Sequence, residues 1–203
     1  MTIVVADADV LFGATTRGLL IHLDYLGLVR LHWSPLILGE LSRALVDTGR
    51  KLDMGAARRH EQLLRAALPN AEVPTTTVHR HFEPVAAAVR SAKDIHVAAC
   101  AHAVLAGDFY SNLRAVSLVT NNVRDFAVRR LGELGIAATR PDAFLVELCR
   151  RDVQGVAAAF SALRASLRSA PTASQLLDRL SAERQAMTAA LLLDASKRGA
   201  LTL

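Results

Sequence analysis

Aromatic residues make up only 4% of this chain, it has just two cysteines, and of its 24 cationic side chains only Lys51, Lys93 and Lys197 are lysines. Each scarcity excludes something. With so few rings, a chain that is 52% apolar must build its core from Ala, Leu and Val. That apolar share excludes wholesale disorder. Cys100 and Cys149 lie in Ala/Leu-rich surroundings and read as buried free thiols, so no disulfide framework is expected. No apolar run reaches the roughly 18 residues that cross a bilayer. The opening MTIVVADADV carries no basic leader and meets its first Asp at position 7, which predicts a cytoplasmic protein without a signal peptide. GxSxG, P-loop and Rossmann glycine patterns are missing too.

Charge is present, but unevenly spread. The net charge is +5 and the pI about 9.9. Residues 1–149 hold 16 Lys/Arg against 15 Asp/Glu, whereas residues 150–203 hold 8 against 4. A near-neutral body with internal carboxylates and a basic tail is compatible with a polyanionic partner, and equally with mere solubility.

Hydrophobic periodicity sets the elements. IVVADADVLF reads as a buried strand followed by a turn bearing two Asp, and RGLLIHLDYLGLV as a helix, with LHW a short strand after it. Ser34-Pro35 opens a helix as N-cap and first-turn Pro. Residues 53–68 form an amphipathic helix, and AEVPTTTV an extended segment interrupted at Pro74. Ser91 caps a helix over IHVAACAHAVLA, AVSLVT is a second strand, and Asn122 caps a helix that stops at Gly135. IAAT is a third strand, and Pro141 starts a helix to about Arg150. Strands alternating with helices predict an α/β fold with a mainly parallel sheet and helices on both faces. Beyond residue 151 the pattern is wholly helical, with a break at Pro171 and a single helix from about Ser174 to Ala195. The expected division is a domain over 1–150 and a C-terminal helical extension over 151–203.

Five acids fall where such a sheet would gather them. Asp7 and Asp9 end the first strand, Asp125 follows the strand AVSLVT, Glu40 lies within the apolar face of LILGEL, and Asp94 lies in a first helical turn. Converging carboxylates repel one another, and a hard, oxygen-seeking cation relieves that repulsion. Mg2+ or Mn2+ held this way is a standard device of phosphoryl chemistry. Each acid alone is also explained as a turn residue or a first-turn acid favoured by the helix dipole. Glu40 fits that bland reading least well, since Leu36, Ile37, Leu41 and Leu45 mark its face as inward.

Taken together, the four segments resemble the PIN-domain ribonucleases. VVADADVLF is similar to that family's opening, giving Asp7, with Asp9 at the Asn-like position. SPLILGEL is similar to the second motif, giving Glu40. KDIHVAACA is similar to the third, giving Asp94, and LVTNNVRDF to the fourth, giving Thr120, Asn122 and Asp125. The resemblance covers about residues 3–150 and is closest to VapC-type toxins of toxin–antitoxin pairs. It implies a metal-dependent endoribonuclease in which Asp7, Glu40, Asp94 and Asp125 bind Mg2+ or Mn2+, while Ser34, Thr120, Asn122 and Arg124 shape the site or meet substrate. It further implies an RNA substrate, a cognate antitoxin and a homodimer. One departure stands out: Asn122 occupies a place where many members carry an acid, so the fourth ligand is either Asp125, or Asn122 assisted by Asp125.

Two rival readings remain. One is a catalytically inactive PIN scaffold that binds RNA or protein. The other is a response-regulator-like domain, which lacks the Lys it would need after a late strand. His79 and His81 have metal-like spacing but no third partner nearby in sequence. His96 reads as a packed neighbour of Asp94. Arg124, Arg129 and Arg130 either meet phosphates or form a solvated helix face.

Overall fold

The computed structural model describes residues 1–107, 109–199 and 203, and the chain is 64% helical. In chain order the strands and helices are β1 (Thr2–Ala6), α1 (Ala8–Phe12), α2 (Ala14–Tyr25), β2 (Val29–His32), α3 (Pro35–Asp47), α4 (Met54–Ala67), α5 (Thr75–Arg80), α6 (Phe82–Val85), α7 (Ile95–Ala106), β3 (Val116–Val119), α8 (Val128–Glu133), β4 (Ile136–Thr139), α9 (Pro141–Arg151), α10 (Val153–Ser166), α11 (Ala173–Ala182) and α12 (Ala186–Lys197). Single 3-10 turns cover Ala86–Ala88, Ala92–Asp94 and Val123–Asp125. The expected α/β fold is what forms: a four-stranded, all-parallel sheet in the order β2-β1-β3-β4 with helices around it. Val5 is in register with Leu118, and Leu118 with Ala138.

The chain separates into two compact units, and the division does not fall at one point in the sequence. The sheet unit comprises Thr2–Phe12 and Arg30–Thr139. Its core is the fully buried run Val4, Val5 and Ala6 with Leu118 and Val119, covered by α7, whose Val97–Ala101 and Val104 are buried. Small Ala side chains let this helix approach the sheet closely, which is how a core with few aromatics stays dense. Cys100 is part of that layer, and burial pushes its thiol up.

The helical unit comprises Gly13–Val29 and Arg140–Leu203. Within it α2 packs on α10 and α11, and α12 packs on α9 and α11. In residues 151–203 the Leu and Phe side chains at helical spacing are buried at Phe160, Leu163, Leu176, Leu177 and Leu180 and half-buried at Leu167 and Leu191. Two acids close helix ends from far along the chain. The Glu183 carboxylate accepts from the Thr15 and Thr16 N–H groups at 3.0 and 2.7 Å, and Asp142 accepts from the Met187 and Thr188 N–H groups at 3.1 and 2.9 Å. Cys149 is a buried free thiol as well, pushed up to about 11 by burial and by Asp142. Among the described residues no helix is long and apolar enough to cross a membrane.

Six local expectations are corrected. Ser91 makes no side-chain cap; a 3-10 turn follows it and α7 starts only at Ile95. The two-Asp turn after β1 is the short helix α1. The helix through RGLLIHLDYLGLV stops at Tyr25, because Gly27 turns the chain at φ +75° and lets β2 begin at Val29. The Thr75–Val78 run is helical, not extended: Pro74 precedes the first turn, and burial of Val78 outweighs the strand preference of three Thr. Asn122 makes no side-chain cap; a 3-10 turn follows it and α8 starts only at Val128. The helix expected over 174–195 is two, broken where Arg184 takes a left-handed φ of +69°.

Candidate functional site

The chain leaves β1 toward β2 and returns on the β3 side, so strand order reverses between β1 and β3. Crevices for ligands open at such a reversal, beyond the carboxyl ends of the strands. Asp7 follows β1 there and Thr120 follows β3. They meet across the reversal: the Thr120 hydroxyl donates to Asp7 Oδ2 at 2.8 Å, and the Ala8 N–H donates to Oδ1 at 2.6 Å. Asp7 is only 5% exposed. Burial, then the charges of Asp9 and Glu40, push its carboxyl up to about 7 against the lowering effect of those two hydrogen bonds.

Asp9 stands in the first turn of α1, and both its oxygens take the Asn121 N–H, at 3.2 and 3.1 Å. Burial pushes Asp9 up to about 6. Glu40 and Asp94 add to this, and the Asn121 backbone and side chain restrain it.

Glu40 projects from α3, whose N-terminus is capped by Ser34; the Ser34 Oγ accepts from the Ile37 N–H at 3.3 Å. Glu40 Oε2 lies 3.2 Å from His96 Nε2, a close charge contact in which the ring N–H is not aimed squarely at the oxygen. The other ring nitrogen, Nδ1, donates to the Lys93 carbonyl at 2.7 Å. A carbonyl only accepts, so Nδ1 holds a proton and Nε2 carries one only in the imidazolium. Burial alone would lower His96, but Glu40 outweighs it and the ring is raised; in return His96 chiefly, with Arg43, holds Glu40 below its ordinary value.

Asp94 ends the 3-10 turn before α7. Burial first, then Asp125 and Glu40, raise it, against the Ser91 hydroxyl and His96. A short antiparallel bridge holds this corner together: the Arg90 N–H donates to the Asp125 carbonyl and the Ala127 N–H to the Ala88 carbonyl, both at 2.8 Å. It ties the segment before Asp94 to the segment bearing Asp125.

No family model, curated protein or solved structure matches the chain. The site's chemistry therefore rests on its own atoms. The predicted residues take up distinct places. The charges of Asp9 and Glu40 act on Asp7, those of Glu40 and Asp94 act on Asp9, and those of Asp125 and Glu40 act on Asp94. Thr120 holds Asp7 directly and accepts the Asn122 N–H at 3.1 Å. Asn122 and Arg124 are exposed, and Ser34 is fully buried as a helix cap. Among the described residues no three His, Cys, Asp or Glu side chains stand close enough to hold a metal ion. Even so, the donor chemistry fits a divalent cation. Asp7, Asp9 and Asp94 are three oxygen donors whose carboxyls are raised first by burial and then by neighbouring acids, and a hard cation is the partner that would relieve both. Two features were not singled out from the sequence: Asn121 as a partner of Asp9, and the bridge that holds the Asp125 backbone. The first had a local signal, an amide directly after Thr120. His96 was read as a packed neighbour of Asp94, and the structure sets its ring against Glu40.

Proposed function

We propose that the protein is a metal-dependent endoribonuclease of PIN type. The observation that carries the reading is the Asp7–Thr120 pair at the strand-order reversal, with Asp9 and Glu40 near enough to raise Asp7 and Asp94 near enough to raise Asp9. Asp7, Glu40 and Asp94, with Asp125 at the outer edge, would hold Mg2+ or Mn2+. Such an ion, when bound, supplies charge stabilisation for the attacking and leaving oxygens of a phosphodiester and lowers the pKa of a bound water. The chain's own groups do the rest. Thr120 fixes the Asp7 carboxylate, Asn121 fixes Asp9, and His96 holds Glu40 ionised. Resemblance in sequence supports the further reading as the toxin of a toxin–antitoxin pair, cytoplasmic, homodimeric and covered by a cognate antitoxin.

The test is cleavage of single-stranded RNA with Mn2+. Wild type should cut, while Asp7→Asn and Asp94→Asn should lose cleavage yet keep a cooperative melt. Full activity in either variant, or a wild type inert with every divalent ion, overturns the reading. The exposed Asn122, an amide that brings no charge, favours the second reading, an inactive PIN-type binding module. Calorimetry showing no Mn2+ binding would select it.

A further inference from the structure

A cavity of about 730 Å3 lies beside Glu40 and His96, between α3 and the start of α7. That is within the usual size range of small-molecule sites. Its walls are half-buried and apolar: Leu36 from α3, Ile95 from α7 and Phe82 from α6. The Phe82 ring is braced edge-on by His79, with centroids 5.0 Å apart. At the exposed rim stand two cations, Arg43 and Lys93, along with Asp47.

Gly39 stands apart from these. It lies inside α3, next to Glu40, and lines the cavity. Glycine in a helix interior weakens the helix relative to Ala. Nothing in the protein requires it here. A Cβ at Gly39 would meet only Arg43 Nη1, at an ordinary 3.8 Å. What the missing side chain leaves is open space on the cavity floor.

Apolar walls, one of them aromatic, with a cationic rim and acids at one edge match a group that is planar and apolar at one end and anionic at the other. We propose that this cavity binds one nucleotide of a single-stranded RNA, with the base against Leu36, Ile95 and Phe82 and its phosphate between Arg43 and Lys93. The proposal rests on the nuclease reading for the identity of the ligand. It adds the place where the nucleotide beside the cut bond is held, and it makes Gly39 the residue that gives the base room. Stacking on aromatic and apolar side chains is how unpaired bases are commonly bound.

The test uses the full chain in EDTA, so that binding is read without cleavage. The probe is a fluorescein-labelled, random-sequence hexaribonucleotide followed by anisotropy. Gly39→Ala should melt at a higher temperature than wild type and yet bind the probe about tenfold more weakly. Lys93→Gln should flatten the salt dependence of binding by about one unit of slope. Three results overturn the proposal: no probe binding by wild type, unchanged binding in Gly39→Ala, or a lower melting temperature in Gly39→Ala, which would mean that the fold itself needs the glycine. Failure of the nuclease reading looks different. Binding lost in Gly39→Ala, with a wild type that cuts nothing under any divalent ion, keeps the pocket and removes the enzyme. Cleavage by wild type with unchanged binding in Gly39→Ala does the reverse.

Discussion

Burial and like charge act in the same direction on Asp7 and Asp9. Their folded values of about 7 and about 6 lie above the ordinary 3.8. The folded chain therefore binds more protons than the unfolded chain from about pH 4 to about pH 7, and stability falls as pH rises through that window. His96, also raised, has the same sign; its contribution is present at low pH and is lost as pH rises. Glu40 is lowered, so its contribution is lost only as pH falls below its ordinary 4.5 region. In EDTA the protein should melt lower near pH ~8 than near pH ~5, and Asp7→Asn should raise the melting temperature at the higher pH by about 5 °C. Scanning calorimetry at both pH values checks this; a variant that melts lower at pH ~8 would contradict it. Asp7, Glu40 and Asp94 were legible in the sequence because each sits beside a readable strand end or helix start. The grip of Asn121 on Asp9 was not, since its partners are 112 residues apart and only the parallel register of β1 with β3 brings them together.

At the scale of elements, the strands were legible because β1, β3 and β4 are short β-branched or small apolar runs bounded by polar residues. The misses share a cause: tertiary packing decided where local signals were balanced. Leu recurs at helical spacing at Leu176, Leu177 and Leu180 and again at Leu191 and Leu192, with no Pro or Gly between, yet the chain turns at Arg184. Glu183 faces the first turn of α2, where Gly13 offers no side-chain cap. Three donors converge on that carboxylate: the Thr15 N–H, the Thr16 N–H and the Thr16 hydroxyl. Glu183→Ala should therefore cost about 1–2 kcal/mol, the price of a lost helix cap. Urea denaturation measures it, and a loss near zero would show that solvent replaces the carboxylate.

At the scale of the whole molecule, two compact units share one chain, and the helical unit takes α2 from near one end and α9–α12 from the other. The helical character of residues 151–203 was legible from Leu spacing. The packing of α2 on α10 and α11 was not, because periodicity marks a face without naming what covers it. Deleting residues 151–203 should strip α2 of both partners. Leu19, Leu20 and Leu23, fully buried in the intact chain, would lose cover. Light scattering should then show aggregation at micromolar concentration, and a soluble truncated chain of unchanged oligomeric state would contradict this.

That interleaving also sets a clock during synthesis. As the chain leaves the ribosome, α2 is complete at Tyr25, but α10 begins only at Val153. At roughly 5–20 residues per second, α2 waits on the order of ten seconds for the helix that covers it. The strands β3 and β4 also emerge before α10, so the sheet can assemble late in that interval, while the apolar face of α2 is open throughout to chaperones and to neighbouring nascent chains. A slow-codon stretch between the two would lengthen that exposure without changing a single residue.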